Sequence, residues 1–461
     1  MRTLIDRVAV ISDDLEDGGG ASAIALASIR QLQRLGIPVA MLAGGAPAIA
    51  ARQGDEVVAL GGRHLLEGGR ARAAVRGLHD GQVRAHLAEW IAANDTPRTI
   101  YHLHNWHKVL SPSCFAPLRQ VADRLVVSTH DFFLSCPNGG YFDFRRRAVC
   151  DLVPLSTGCL LANCDKRHYG HKAWRVARHL AREALFDFRR EPATVLAVHE
   201  GMAPLLARRR IPAEAIRVLR NPVTPWRDRR IEAERNRALL YVGRLELDKG
   251  VDTLALAARR LGARLRIVGD GPLAAELPAL CPGVEMLGRQ PPEAIGEIAA
   301  SARLIVLPTR VRETFGLVAL EAAMSGLPVV SSTSALVTDE LVAHGIGRCC
   351  EPDDPEALAG RLAALLDDDA AVEAMSRRGF AGARALAPTE EQWGAHLVDL
   401  YAQTLARAAI DGSPRASATS CVDDGGLRPR PIASGMGSRG AEAVAETGLD
   451  RSKQLRGLAT R

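Results

Sequence analysis

Short apolar runs rich in Val, Ile and Leu alternate with helical stretches along most of the chain. In the first half this pattern predicts strands at 8–12, 37–43, 98–104, 124–130, 193–199 and 216–223. In the second half it predicts strands at 238–245, 265–271, 284–288, 303–309, 327–332 and 347–351. Alternation of buried strands with crossover helices is typical of parallel α/β sheets.

The repetition of this pattern predicts an α/β protein with two doubly wound, Rossmann-like domains that face each other across an interdomain cleft. The first predicted domain spans 1–222 and the second 223–388, and a helix over 389–411 returns toward the first. From Gly412 the sequence turns to Ser, Gly, Arg and Asp, which predicts a disordered tail over 412–461. Because open parallel sheets bind ligands at the carboxyl ends of their strands, we expect the chemistry at those ends.

Composition excludes several classes of protein. The 42 glycines and 25 prolines among 461 residues are close to average, which excludes a collagen-like or wholly disordered chain. No apolar run reaches the roughly 20 residues that a membrane span needs. The amino terminus also lacks a signal-peptide pattern. We therefore expect a soluble, cytoplasmic protein.

The net charge of +6 is unevenly distributed, since residues 1–230 carry 33 Lys and Arg against 22 Asp and Glu. This asymmetry favours an anionic partner for the first half, whereas an arginine-rich surface without a specific partner is the alternative. Basic clusters at 145–147, 166–172 and 208–210 could face an anionic membrane that carries a lipid-linked acceptor, which would place the protein at the inner face of the membrane. Without interleaved aromatic residues they do not indicate nucleic acid.

The most informative segment lies near the end of the strand at 303–309. Glu313 and Glu321 are eight positions apart, which in a helix spans about 12 Å, roughly the reach of a sugar diphosphate plus a ribose. Between them, the backbone N–H groups of Phe315, Gly316 and Leu317 would open a helix and favour a bound phosphate. The alternative is a capping carboxylate with an incidental surface glutamate.

Two cations, Arg244 and Lys249, follow the buried strand at 238–245. Such cations can hold a diphosphate without a metal ion. The alternative is a solvated turn in which Arg244 pairs with Glu246 or Asp248. The next two strands end near Gly271 and Leu287, whose backbone could approach a ligand.

The first half offers two further candidates. Gly18, Gly19 and Gly20 follow the first strand and open a helix, so Gly19 and Gly20 could approach a phosphate or a sugar closely. His130 ends the strand at 124–130, where a core histidine is the alternative. His102, His104 and His107 lie nearby in sequence, and we assign them to packing or binding on the acceptor side.

At this point a resemblance is visible in GRLELDKG, IVGDGP, LPTRVRETFGLVALEAAMSGLPVV and EPDDPEALA. Residues 238–330 resemble the donor domain of the retaining family-four (group 1) glycosyltransferases, which have the two-domain GT-B fold, and a weaker match spans about 1–410. The resemblance implies a hexosyltransferase that moves a sugar from a nucleotide-sugar donor with retained configuration and without a catalytic metal. It also implies a glycan or lipid-linked acceptor, with exopolysaccharide or other cell-surface glycan as the product.

The same resemblance implies a role for each matching residue. The position of Glu313 contacts the donor sugar, and that of Glu321 binds the ribose hydroxyls. Those of Arg244 and Lys249 bind the diphosphate and stabilise the leaving group. A comparable histidine in the family touches the donor sugar near the reacting carbon, which makes His130 the second catalytic candidate after Glu313.

Four of the nine cysteines fall within a segment over about 131–172 that we interpret as an insertion: Cys136, Cys150, Cys159 and Cys164. Four thiolates suit a structural zinc or iron–sulfur site, although the spacing lacks a C-x2-C pair. Free buried thiols or redox-variable pairs are the alternative.

Two other classes of function stay open, a different enzyme on the same fold and a binding protein. A nucleotide-sugar epimerase or a phosphorylase can share the fold, although an epimerase lacks the two glutamates in this context and a phosphorylase needs a longer chain. A non-catalytic, basic, cysteine-rich binding protein is the third hypothesis.

Overall fold

The computed structural model describes residues 5–15, 19–45, 56–65, 67 and 69–411. Gly18 and the predicted tail over 412–461 lie outside the described residues. Within the described part the chain forms two large parallel sheets, which confirms the predicted fold class of two Rossmann-like α/β units.

The first sheet has seven parallel strands in the order β3-β2-β1-β4-β5-β8-β9. The strands of this half, including a small antiparallel pair β6–β7, are β1 (Arg7–Ser12), β2 (Val39–Ala43), β3 (Glu56–Ala59), β4 (Thr99–Leu103), β5 (Leu125–Thr129), β6 (Phe142–Asp143), β7 (Ala148–Val149), β8 (Thr194–Ala197) and β9 (Ile216–Val218). Its helices are α1 (Gly20–Arg34), α2 (Arg70–Leu78), α3 (Gly81–Asn94), α4 (Phe115–Leu118), α5 (Thr157–Leu161), α6 (Tyr169–Leu185) and α7 (Ala203–Ala207).

The second sheet has six parallel strands in the order β12-β11-β10-β13-β14-β15. They are β10 (Ala238–Val242), β11 (Leu265–Val268), β12 (Glu285–Met286), β13 (Ala302–Leu307), β14 (Val329–Ser332) and β15 (Gly347–Cys350). The helices are α8 (Val251–Leu261), α9 (Leu277–Leu280), α10 (Pro292–Ala299), α11 (Leu317–Met324), α12 (Thr338–Ala343), α13 (Pro355–Leu366), α14 (Asp369–Gly382) and α15 (Glu390–Asp411).

The central strands of both sheets are buried on both faces, as near-continuous apolar strands require. All residues of β2, β4, β5 and β10 are buried. The sequence pattern missed β3 and the β6–β7 pair. The strand β3 is partly exposed, and the two-residue strands β6 and β7 are too short for periodicity to reveal, although Phe142 is buried.

The helix α15 follows the second sheet but packs on the first. Its Trp393, Leu397 and Tyr401 are buried in one apolar cluster with β1 and α1. Glu390, at its first position, accepts hydrogen bonds from Arg30 at 2.9 Å and Gln31 at 3.1 Å. The end of the described chain is therefore tied to the first half.

The order of the strands shows where a ligand-binding crevice opens at the carboxyl edge of each sheet. In the first sheet β1 lies between β2 and β4, and in the second β10 lies between β11 and β13. The connections that leave the two neighbouring strands diverge at these points, which opens a crevice at the carboxyl edge. The loops after β1, β4, β10 and β13 are thus the ones placed to bind a ligand.

Candidate active site

The crevices of the two sheets meet. The Thr314 hydroxyl, after β13, donates a hydrogen bond to the backbone carbonyl of His130, after β5, at 3.0 Å. At the start of α1, a Cβ on Gly20 would lie 3.3 Å from Cδ1 of Leu317, the first residue of α11. The structure therefore brings Gly20, His130 and the 313–317 segment to one cleft.

Lys249 and Glu313 form an ion pair inside this cleft. The side chains are 19% and 32% exposed, so both are largely withdrawn from water. The Lys249 ammonium holds the pKa of the Glu313 carboxyl below its ordinary value, although burial opposes this. The pair is therefore charged and places a fixed cation and a fixed anion side by side.

The turn that carries Lys249 is held by Arg310, which the sequence analysis did not single out. Buried Arg310 donates from its guanidinium to the Leu247 carbonyl, and its backbone N–H donates to the Asp248 carbonyl at 2.9 Å. The guanidinium also pairs with Asp252 at 2.7 Å. An arginine three residues after the end of the apolar strand β13 was the available signal, because a cation near a buried strand end needs carboxylate partners.

Arg244 is placed differently from Lys249. Its side chain is 62% exposed and pairs with Glu246 at 2.5 Å, the arrangement that the sequence analysis held as its alternative. Lys166, from the cysteine-bearing segment, lies 3.7 Å from the other oxygen of Glu246. The Tyr241 hydroxyl fixes the backbone by donating to the Arg244 carbonyl at 2.8 Å. Arg244 therefore lies at the edge of the cleft. Its guanidinium can turn toward a ligand in the cleft only if the ion pair with Glu246 breaks.

The helix α11 begins where the sequence predicted. Gly316 has φ +79° and precedes Leu317, the first helical residue. A Cβ on Gly316 would lie 2.7 Å from Cγ1 of Val337, so conformation and space both favour glycine here. Phe315 is buried. The amino end of α11 faces Gly20 and offers backbone N–H groups and the positive end of a helix dipole to the cleft.

Glu321 lies one turn further along α11 and is not the surface glutamate of the alternative interpretation. Burial raises the pKa of its carboxyl to about 7, and a hydrogen bond from the Trp226 indole partly counteracts this. The Trp226 backbone N–H donates to the Ser325 hydroxyl at 2.9 Å, directly after α11. Trp226 was missed by the sequence analysis, and a lone tryptophan in the polar segment between the sheets was its only signal.

Gly271 lies against the loop after β10, and Leu287 follows β12 and pairs with β11. The Leu245 N–H donates to the Asp270 carbonyl at 2.9 Å, and a Cβ on Gly271 would lie 2.6 Å from the Leu245 carbonyl oxygen. The Leu287 N–H donates to the Ile267 carbonyl at 2.9 Å, so Leu287 prolongs the β12 edge. These contacts place both residues along the same carboxyl edge as Lys249.

His130 ends a row of three histidine rings, which we call the histidine row: His102, His104 and His130. The His104 and His130 rings are stacked with 11° between their planes, and Nδ1 of His104 lies 3.2 Å from Nε2 of His130. Burial lowers the pKa of His130 to about 4 and that of His102 to about 3, and it lowers the pKa of His104 as well. All three imidazoles are therefore neutral near pH 7.

His107 stands apart from the row and lies 3.5 Å from the Asp131 carboxylate. The interpretation of His104 as an acceptor-side residue missed its contact with His130, which joins the ends of two neighbouring strands.

The structure does not support a metal site at the four cysteines. Nζ of buried Lys172 lies 2.9 Å from Sγ of Cys164 and 3.7 Å from Sγ of Cys159, so an ammonium group occupies the space among the thiols. Among the described residues, no three of these sulfur atoms lie within 4.8 Å of one another. All four, Cys136 and Cys150 included, are free thiols.

One other cluster in the described part of the chain has the composition of a metal site: His199, Glu200 and Glu340. Arg220 already lies between its carboxylates, at 2.5 Å from Glu200 and 2.6 Å from Glu340. The guanidinium neutralises this cluster and joins the first half of the chain to α12. It is an ion-pair network.

Comparison with known proteins places the second half in a family. Residues 223–381 match the family model described as glycosyl transferases group 1. This segment holds Lys249, Glu313 and Glu321. Residues 223–381 are a group 1 glycosyltransferase domain. The whole described chain has the GT-B fold, as its structural neighbours show.

Two curated relatives illustrate the similarity of this glycosyltransferase domain. The chain is 32% identical over 191 residues to glycogen synthase of Mycobacterium tuberculosis, which covers 39% of this chain and 45% of the synthase. It is 38% identical over 130 residues to the GDP-mannose-dependent alpha-(1-6)-phosphatidylinositol dimannoside mannosyltransferase of that organism, covering 26% of this chain and 33% of the relative. The matches thus span less than half of the length of these relatives.

The similarity of the fold extends over most of the described chain. Sucrose-phosphate synthase from Thermosynechococcus elongatus superposes with a TM-score of 0.65 at 19% identity, covering 87% of this chain and 99% of the synthase. Anabaena HepE, in complex with UDP and glucose, gives 0.60 at 17% identity, covering 86% and 99%. At such identities the likeness concerns the fold alone. No helix in the described residues has the length and apolar character needed to cross a membrane.

Proposed function

We propose that this chain is a retaining, metal-independent hexosyltransferase that moves a sugar from a nucleotide-sugar donor to a glycan or lipid-linked acceptor. The observation that carries the proposal is the Lys249–Glu313 ion pair, which lies in one cleft with the amino end of α11. A cation, an anion and a helix amino end at the meeting point of two crevices suit a ligand that carries both a diphosphate and a sugar.

The chemistry follows from where charge develops. When the bond between the sugar and the diphosphate breaks, negative charge accumulates on the leaving diphosphate. The Lys249 ammonium and the N–H groups at Phe315, Gly316 and Leu317 would stabilise that charge more strongly in the transition state than in the bound donor. Arg244 would add a second cation once it leaves Glu246.

The remaining candidates bind the rest of the donor in this proposal. Glu313 orients the sugar hydroxyls, and His130 touches the sugar near the reacting carbon. Glu321 accepts hydrogen bonds from the ribose. Backbone at Gly271 and Leu287 borders the nucleobase, and Gly19 and Gly20 let the phosphate or sugar approach α1.

The names and bound ligands of similar proteins support one chemical class of donor. HepE was crystallised with UDP and with UDP-glucose, and other relatives are named as glycogen synthase or as an exopolysaccharide phosphotransferase. These names support a nucleoside diphosphate sugar as donor and a polysaccharide or cell-surface glycan as product.

The test is transfer from a panel of UDP-, GDP- and ADP-sugars, with the donors first ranked by thermal stabilisation. Lys249→Ala and Glu313→Gln should each lower kcat by about 100-fold or more, the cost of losing one preorganised electrostatic contact. Glu297→Gln is the control, since that carboxylate is 79% exposed on α10. Wild-type turnover by either cleft variant would refute the proposal, as would an inverted anomeric configuration of the product in NMR. Release of an epimerised sugar instead of a glycoside would favour the epimerase alternative.

We also propose that the protein contacts an anionic membrane through the cysteine-bearing segment, at the inner face of the cytoplasmic membrane. Apolar side chains are exposed together there: Leu152, Val153, Leu160, Leu161 and Tyr169. The Tyr169 hydroxyl donates to the Leu160 carbonyl at 2.6 Å, so helices α5 and α6 share this surface. Exposed Arg146 and Lys166 lie in the same segment, and basic groups beside apolar ones suit an anionic lipid surface.

Sedimentation with vesicles tests this contact. Wild type should bind vesicles that contain phosphatidylglycerol and lose binding with Leu161→Asp, whose side chain is 75% exposed. The matched control is Ile410→Asp, at an apolar position that is 74% exposed on α15. Equal loss in both variants, or equal binding to purely zwitterionic vesicles, would contradict the proposal.

A further inference from the structure

The histidine row contains enough hydrogen-bond information to assign a proton on each of two rings. Ser28, on α1, is fully buried, and its hydroxyl donates to the Ala25 carbonyl at 2.6 Å. A hydroxyl has one proton, and a carbonyl only accepts, so this contact consumes the donor of Ser28. The remaining lone pairs of Ser28 face Nε2 of His104 at 3.4 Å. Nε2 of His104 therefore carries a hydrogen and donates to Ser28.

The assignment passes to His130 through the next contact. A neutral imidazole has one N–H group, so Nδ1 of His104 is unprotonated and accepts. It faces Nε2 of His130 at 3.2 Å, so the hydrogen between the two rings belongs to His130. Nδ1 of His130 is then the unprotonated nitrogen. It has no hydrogen-bond partner among residues 5–15, 19–45, 56–65, 67 and 69–411.

The third ring does not disturb this order. His102 lies beside His104 with ring centroids 4.0 Å apart and the ring planes tilted by 38°. Its own nitrogens are occupied by the Tyr401 hydroxyl at 2.6 Å and the Ser128 hydroxyl at 2.8 Å. His102 thus packs against the face of His104 without competing for either nitrogen, and burial keeps all three rings neutral.

We infer that Ser28 and His104 are positioning residues that set the tautomer of His130, so that its Nδ1 presents a bare lone pair to accept a hydrogen bond from a substrate hydroxyl. The inference rests on the proposed function for its substrate, a sugar hydroxyl in the cleft. It adds the direction of the hydrogen bond between His130 and the substrate. Nδ1 of His130 accepts a hydrogen bond or a proton from the sugar hydroxyl and does not donate one. The opposite tautomer would present an N–H group and would lose that hydroxyl contact.

A matched set of variants tests the proposed chain of hydrogen bonds, in which His130 donates to His104 and His104 donates to Ser28. Asparagine at position 104 places an amide oxygen near the former Nδ1, so His104→Asn keeps an acceptor for Nε2–H of His130. His104→Leu removes it at similar size. Ser28→Ala removes the partner that holds the His104 tautomer. Ser128→Ala is the control, since it also deletes a buried serine hydroxyl from a histidine of the row, but from His102.

The first readout is the tautomer itself, from long-range proton–nitrogen NMR spectra of histidine-labelled protein, with His130→Asn identifying the signals. We expect the Nε2–H form of His130 in wild type, His104→Asn and Ser128→Ala. The Nδ1–H form should appear in His104→Leu and Ser28→Ala. An Nδ1–H form in wild type, or an unchanged His130 in both His104→Leu and Ser28→Ala, would overturn the inference. Thermal unfolding checks that each variant is folded.

The second readout is transfer. His104→Leu should lower kcat/KM about tenfold, the scale of one lost hydrogen bond, and His104→Asn should restore most of it. Equal losses in the two variants would also overturn the inference, because simple packing would then explain them. If wild type transfers no sugar while the tautomer responds as expected, the proposed function fails and the tautomer assignment stands. The two failures are therefore distinguishable.

Discussion

Glu321→Gln separates the electrostatic cost of a half-buried carboxylate from its proposed use in nucleotide binding. Glutamine keeps the size of the side chain and an oxygen that accepts the Trp226 indole hydrogen bond, but it cannot ionise. In the wild type, burial raises the pKa of Glu321 from its ordinary 4.5 to about 7. Between these pH values the folded chain keeps a proton that the unfolded chain releases. The free energy of unfolding therefore falls as pH rises from 4.5 to 7 and is constant, for this group, above 7.

The size of this change in the free energy of unfolding follows from the raised pKa of Glu321. A pKa raised from 4.5 to about 7 disfavours the ionised folded state by up to about 3 kcal/mol. Glu321→Gln should thus match wild type in stability near pH 4.5 and exceed it by up to about 3 kcal/mol at pH 8. Nucleotide binding should move in the opposite direction, because the ionised carboxylate is the better acceptor for ribose hydroxyls.

Urea unfolding of wild type and Glu321→Gln at pH 4.5, 6 and 8 measures the difference in the free energy of unfolding. Calorimetry of UDP binding at pH 6, in buffers of different ionisation enthalpy, counts the protons that binding releases. The control is Glu340→Gln. Hydrogen bonds from Arg220 lower the pKa of Glu340, so this variant should be less stable than wild type at pH 8. A stability difference for Glu321→Gln that does not change with pH would refute the reasoning, as would UDP binding that releases no proton.

Two further predictions concern the stability of the fold. Gly250 has φ +70°, and a Cβ there would overlap the Pro308 carbonyl, whereas Gly262 has φ +58° and open space around it. Gly262→Ala should cost about 1 kcal/mol and Gly250→Ala about 3 kcal/mol or more in urea unfolding; equal losses would contradict the close approach. Arg220→Ala should cost about 2 kcal/mol by removing charge-assisted hydrogen bonds to Glu340, and a double-mutant cycle with Glu340→Gln showing no coupling would contradict it.

The order of strands and helices could be predicted because burial has a local signature. A strand covered on both faces must be apolar along its length, so β4, β5, β10 and β13 are visible in the sequence. Since parallel strands end at one edge, the positions of Lys249 and Glu313 after β10 and β13 were enough to assign both side chains to that edge. The edge strand β3 could not be predicted because its partial burial leaves no such pattern, and β6 and β7 could not be predicted because each has only two residues.

Partners that lie far apart in sequence could not be predicted, because nothing local records them. Arg310 holds the turn before Lys249, and the Trp226 indole reaches Glu321. Each contact joins segments whose meeting depends on how the second sheet packs its helices. The spacing of the four cysteines equally suited a metal site, and only the position of Lys172 among the thiols decided against one.

The chain's periodicity and strand-end residues were therefore enough for the two-sheet architecture, the resemblance to a glycosyltransferase family and the edge that carries the chemistry. Tertiary structure alone decided which charged groups are paired, which are buried and which histidine nitrogens face one another. Glu321 could have been a solvated surface group, and His104 an isolated core residue. Their properties depend on desolvation and on hydrogen-bond partners within a few ångströms, and these arise only when distant segments come together.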